Sequence, residues 1–119
     1  MRKTILLLAA VAISQTAFAE APKTMDGRFV DGQGRTLYTF DNDKTPGQSA
    51  CSGGCAKNWP AAAADANDKA SGDWSIINGA DGVKQWAYKD KPLYLFAADK
   101  KPGDTGGDNF KNVWHTAKP

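Results

Sequence analysis

Beyond residue 25 the apolar positions recur in short runs with the period of two that belongs to strands. Arg28-Phe29-Val30, then Asp31-Gly32-Gln33-Gly34, then Arg35 to Phe40 reads as strand, glycine-rich turn, strand. Alternation in the second strand puts Tyr38 and Phe40 on one face and Leu37 and Thr39 on the other. Trp74 to Ile77 reads as another strand. Lys84 to Tyr88, a turn at Lys89-Asp90-Lys91, and Pro92 to Phe96 form the clearest hairpin. Trp86 and Tyr88 share a face there, as do Tyr94 and Phe96, so a cross-strand aromatic cluster follows where the faces coincide. Leu93 and Leu95 point the other way, which implies a strand covered on both sides. Val113 to Thr116 is a closing strand. Between the hairpins, Ala56 to Trp59 predicts one helical turn ended by Pro60. The alanine-rich stretch from Ala61 to Ala70, diluted by Asp and Asn, predicts a loop or frayed helix. Glu20 to Thr24 reads as a loose leader, with structure beginning near Asp26.

One stretch occurs twice. Leu37-Tyr38-Thr39-Phe40-Asp41-Asn42-Asp43-Lys44-Thr45-Pro46-Gly47 returns 56 residues later as Leu93 to Gly103, with 7 of 11 positions identical. Chance at ordinary residue frequencies gives about one match, so this is an internal duplication. Asp81-Gly82 parallels Asp26-Gly27 at a spacing of 55. Asp43 and Asp99 recur with Pro-Gly after them, as residues that cap turns. The fold class is therefore all-β, a small sandwich or barrel built from two related hairpin repeats with short helical turns in the connecting segment. A single domain is expected over 20–119, its repeats at about 26–60 and 81–116.

The N-terminus changes the expected compartment. Arg2 and Lys3 precede an apolar run from Ile5 to Ile13, and Ala17-Phe18-Ala19 stands before Glu20, the layout of a secretory signal over 1–19. Cleavage leaves 119 − 19 = 100 residues, enough for one domain with a modest core. Loss of Arg2 and Lys3 takes 15 basic residues to 13 against 13 acidic, so the mature net charge is zero. Lysines and aspartates alternate in the second half, and no basic stripe forms to track phosphates, which argues against nucleic acid as a partner. Cys51 is the first cysteine, so no residue near the cleavage site can take a lipid. A soluble periplasmic or secreted protein without a stable membrane anchor is expected.

With the repeat in view, the chain resembles the secreted, lipoprotein-like repeat family named for its Yx(FWY)xxD motif. Tyr38, Phe40 and Asp43 match that pattern in the first copy, and Tyr94, Phe96 and Asp99 in the second. The resemblance extends through Cys51, Cys55, Trp59-Pro60 and Asp81-Gly82. It implies an exported bacterial envelope protein and supplies no mechanism. The lipid-attachment cysteine of lipidated members is missing here, so anchoring is not carried over.

Candidate chemistry centres on few residues. Cys51 and Cys55, an even pair in an exported chain, are expected to form a disulfide. The spacing is too long for covalent haem, which uses Cys-x-x-Cys-His. A copper or thiol-redox site with Cys51, Cys55 and His115 as soft ligands is the alternative. No proline follows Cys55 and no thioredoxin-like alternation of strands and helices appears, both against it. His115, the one histidine, has no evident triad partner. Asp41-Asn42-Asp43 begins like a calcium loop but lacks the closing glutamate. A hydrolase using paired aspartates is a further alternative. The aromatic residues are expected mostly in the core, with some free to line a groove. The reading reached is a non-enzymatic binding or accessory module of the envelope, with no catalytic residue, no cofactor, and an envelope partner or small ligand as its counterpart.

Overall fold

The computed structural model describes residues 21–119; the signal expected over 1–19 lies outside them. Among the described residues there are seven short strands: β1 (Lys23–Met25), β2 (Arg28–Val30), β3 (Tyr38–Phe40), β4 (Trp74–Asn78), β5 (Lys84–Tyr88), β6 (Lys91–Pro92) and β7 (Trp114–Thr116). One helical turn, α1 (Gly54–Asn58), and 3-10 turns at Ala80–Gly82 and Phe110–Asn112 accompany them. Every pairing is antiparallel, in sheets ordered β1-β2, β3-β7 and β4-β5-β6. The protein is all-β, as the alternation implies, but these small sheets do not close into a barrel.

Turn chemistry fixes the hairpins. Asp26 and Gly27 sit at φ 54° and 80°, and Lys89 and Asp90 at 49° and 67°. Positive φ at both central residues gives the mirror-image turn whose twist matches that of the flanking strands. The segment read as a loose leader is thus a strand: Lys23 to Met25 pair with Arg28 to Val30. All three β1 residues are exposed, so no buried apolar position announces the strand.

Two further expectations are refined. The stretch 61–70, expected as a loop or frayed helix, forms no helix, and residues 61–64 run extended: Ala62 N–H donates to the Leu93 carbonyl and Ala62 C=O accepts from Trp86 N–H, each at 2.9 Å. Small side chains let this backbone slot between β5 and Tyr94. The strand expected over 92–96 stays with β5 through Lys91, Pro92 and Leu93, whose N–H donates to Trp86 C=O at 3.0 Å. Tyr94 then turns to Tyr38, and the two exchange backbone hydrogen bonds of 2.8 and 2.9 Å.

That exchange lies on an internal two-fold. Phe29 N–H donates to Ala117 C=O, Ala117 N–H to Leu37 C=O, and Leu37 N–H to Phe29 C=O; Trp86, Ala62 and Leu93 form the same ring in the second copy. Ala117 ends the second repeat and Ala62 ends the first, so each repeat's last segment completes the other's sheet. Alternation then sorts the interior into two layers. Leu37 and Leu93 enter one cluster with Phe29, Trp86, Ala62 and Ala117; Tyr38 and Tyr94 enter the other with Cys51, Trp59 and Trp114. Both central segments are covered on both sides, as Leu93 and Leu95 implied. The aromatic faces of the second hairpin do not coincide, however. Trp86 and Tyr88 pack on Trp74, with ring centroids 6.1 and 4.9 Å away, while Tyr94 and Phe96 face the opposite cluster.

Candidate functional site

The repeat motif bonds across the duplication. Tyr38 OH donates to Asp99 Oδ2 at 2.5 Å, and Tyr94 OH donates to Asp43 Oδ2 at 2.6 Å. The other oxygen of each carboxylate caps its own loop: Asp43 Oδ1 accepts from Ala50 N–H at 2.6 Å and Asp99 Oδ1 from Gly106 N–H at 2.9 Å. The spacing, seven residues, is the same in both copies. Capping of the turns by these aspartates is therefore joined by a bond to the other repeat's tyrosine. Burial first, then the bond to the aspartate, pushes both tyrosine hydroxyls well above their ordinary range, so they stay protonated as donors. Burial also raises the Asp43 carboxyl, partly offset by the bonds from Tyr94 and Ala50. Both oxygens of each aspartate are engaged in this way, one within its own loop and one across the repeats.

The tyrosine layer holds a stack of four rings. Trp59 and Trp114 lie face to face, centroids 3.8 Å apart and planes within 3°. Phe96 stacks outside Trp59 at 4.2 Å and Phe40 outside Trp114 at 4.1 Å. The motif phenylalanines thus close the two ends, and the two-fold passes between the tryptophans. Gly107 permits this closeness, since a Cβ there would stand 2.6 Å from the Trp59 ring. The disulfide of Cys51 and Cys55 ties α1 to the layer, with Cys51 buried beside the rings.

Between α1 and the Phe110–Asn112 turn, a cleft of about 480 Å³ opens beside the stack. Rings of Trp59, Phe96, Phe110 and Trp114 line it, with Cys55, Asn58, Ala97, Ala98 and Lys111 beside them. Phe110 remains 37% exposed, and Lys111 Nζ lies 5.7 Å from its ring centroid. Asn109, Lys111 and Asn112 all have positive φ, between 52° and 62°, and this tight bend pushes Phe110 outward into the cleft. Trp59 and Trp114 could have been found from sequence, since they extend the duplication at a spacing of 55. Phe110 and Lys111 carried no such signal.

His115 is placed elsewhere. Its Nε2 is 2.8 Å from Asp41 Oδ2 and its Nδ1 is 3.2 Å from Asn109 Oδ1, across the β3-β7 pair. Cys51, Cys55 and His115 are not gathered into a three-ligand cluster, nor is any other such group present among the described residues. Both sulfurs are in the disulfide, so neither is a thiolate, the form that ligates copper. Among the described residues no helix is long and apolar enough to cross a membrane.

These features define a class: a duplicated all-β domain whose halves exchange strands and side-chain bonds around one shared aromatic interior. The chain belongs to the family described as a secreted repeat of unknown function, whose sequence model matches it twice, over residues 22–63 and 75–118. No curated protein and no solved structure matches it. Membership makes the protein a secreted one, in keeping with the N-terminal signal layout.

Proposed function

We propose that the protein is a non-enzymatic, periplasmic binding module of the cell envelope, its ligand seated in the cleft beside the tryptophan stack. One observation carries this reading. The motif carboxylates are consumed in holding the repeats together, whereas an aromatic-lined cleft of about 480 Å³ stays open at their join. That volume lies in the range of small-molecule sites, which are mostly apolar with few polar groups. A wall held by a disulfide and a floor of stacked rings is preorganised, so little ordering entropy opposes binding.

The test is a titration of ¹⁵N-labelled mature protein with small planar and sugar-like fragments, read by NMR. Shifts concentrated at Cys55, Ala97 and Lys111 are expected. Binding confined to other surfaces, or substrate turnover abolished by mutating a polar residue, would end the proposal. Cell fractionation checks the compartment, with the protein expected in the periplasmic fraction.

A further inference from the structure

Differences between the two repeats tell what the cleft accepts, given the reading of it as a binding site. Asp41 and Asn42 of the first repeat correspond to Ala97 and Ala98 of the second, at the duplication's spacing of 56. The second copy therefore brings two methyl groups to the cleft where the first carries a carboxylate, paired with His115. At the spacing of 55 that relates Trp59 to Trp114, Lys111 of the second copy corresponds to Ala56 of the first. Both changes move the lining toward positive charge. Lys111 is its one charged residue, and no carboxylate lines it.

We infer that the cleft takes a small planar organic anion, of the aromatic carboxylate class. The ring would lie against Phe96 and Phe110 beside the small side chains of Ala97 and Ala98, and its carboxylate would meet the Lys111 ammonium. An aromatic surround alone would equally suit a cation, which is drawn to the faces of such rings. Lys111 already stands over the Phe110 face and repels a second positive charge, so the anion is the complementary occupant. Because Lys111 is exposed, the charge contributes modestly. An anion should bind roughly two- to fivefold tighter than its neutral isostere at low salt, and the advantage should fade as salt screens it.

Three probes of one shape decide the matter: 2-naphthoate, 2-naphthalenemethanol and 2-naphthylmethylammonium, titrated by NMR into the mature protein. Naphthoate should bind tightest, with shifts at Cys55, Ala97 and Lys111. Lys111→Gln should bring its affinity down to the alcohol's, and Lys111→Glu should favour the ammonium. A folding defect would instead weaken all three alike, and the second variant separates that case. Equal affinity for acid and alcohol, or tightest binding of the ammonium in the wild type, overturns the anion while leaving a binding cleft. Absence of shifts at those residues with every probe overturns both.

Discussion

Tyr38→Phe and Tyr94→Phe each delete one hydroxyl and leave the ring. Each hydroxyl is buried and donates to a carboxylate of the opposite repeat, at 2.5 and 2.6 Å. A hydrogen bond to a charged partner contributes about 1.5–3 kcal/mol, and its loss also leaves the aspartate to find water. Each variant should therefore lose about 1.5–3 kcal/mol, and a domain of this size loses roughly 4–8 °C in Tm per kcal/mol. Size alone does not test the topology, but a double-mutant cycle does. Urea unfolding of Tyr38→Phe, Asp99→Ala and the double variant should give a coupling of about 1.5–3 kcal/mol, as should Tyr94→Phe with Asp43→Ala. Same-repeat pairs, Tyr38 with Asp43 and Tyr94 with Asp99, should couple by less than about 0.5 kcal/mol. Stronger coupling within a repeat than between repeats would refute the exchange.

Three other expectations follow from the same layer. Replacing Cys51 and Cys55 together by Ala should cost about 2 kcal/mol from the freed five-residue loop alone, read as a urea midpoint shift; an unchanged midpoint would deny the disulfide a stabilising role. Gly107→Ala forces a Cβ to within 2.6 Å of the Trp59 ring, so about 1–3 kcal/mol should be lost, along with the near-UV circular dichroism of the paired indoles. If that signal survives, the stack is not as close as described. Burial lifts the Asp43 carboxyl above its ordinary 3.8, so the folded state holds this proton more tightly than the unfolded state. Stability then falls as pH rises through the window just above 3.8, and the wild type should gain on Asp43→Asn as pH drops from neutral into it. A difference that stays flat, or runs the other way, counts against that burial.

Local pattern and turn chemistry made much of the fold legible. The alternation at Leu37-Tyr38 and Leu93-Tyr94 separates the two interior layers, and the Asp-Gly pairs mark hairpins at their true places. What stayed hidden was non-local. Nothing in Tyr-x-Phe-x-x-Asp says that the tyrosine bonds the other copy's aspartate, because a pair five residues apart looks equally ready to bond locally. Ala61 to Ala64 has helical composition, and only the vacant backbone positions beside Trp86 and Leu93 make it extended. β1 is exposed throughout, so pairing rather than burial places it. At the cleft, the tryptophans lay within reach of the repeat spacing. Phe110 depends on backbone bends at Asn109 and Lys111, which their side chains do not announce.

The crosswise bonding bears on how such a protein arose. A chain carrying one copy would have a hydroxyl and a carboxylate with no mates and a sheet short of its final segment. Two identical chains would cure both defects by swapping ends, as a symmetric dimer. Tandem fusion fixes that partnership at one to one and, once the halves need no longer match, frees each to mutate alone. In the fused chain one half carries the carboxylate of Asp41 where the other carries the methyl group of Ala97.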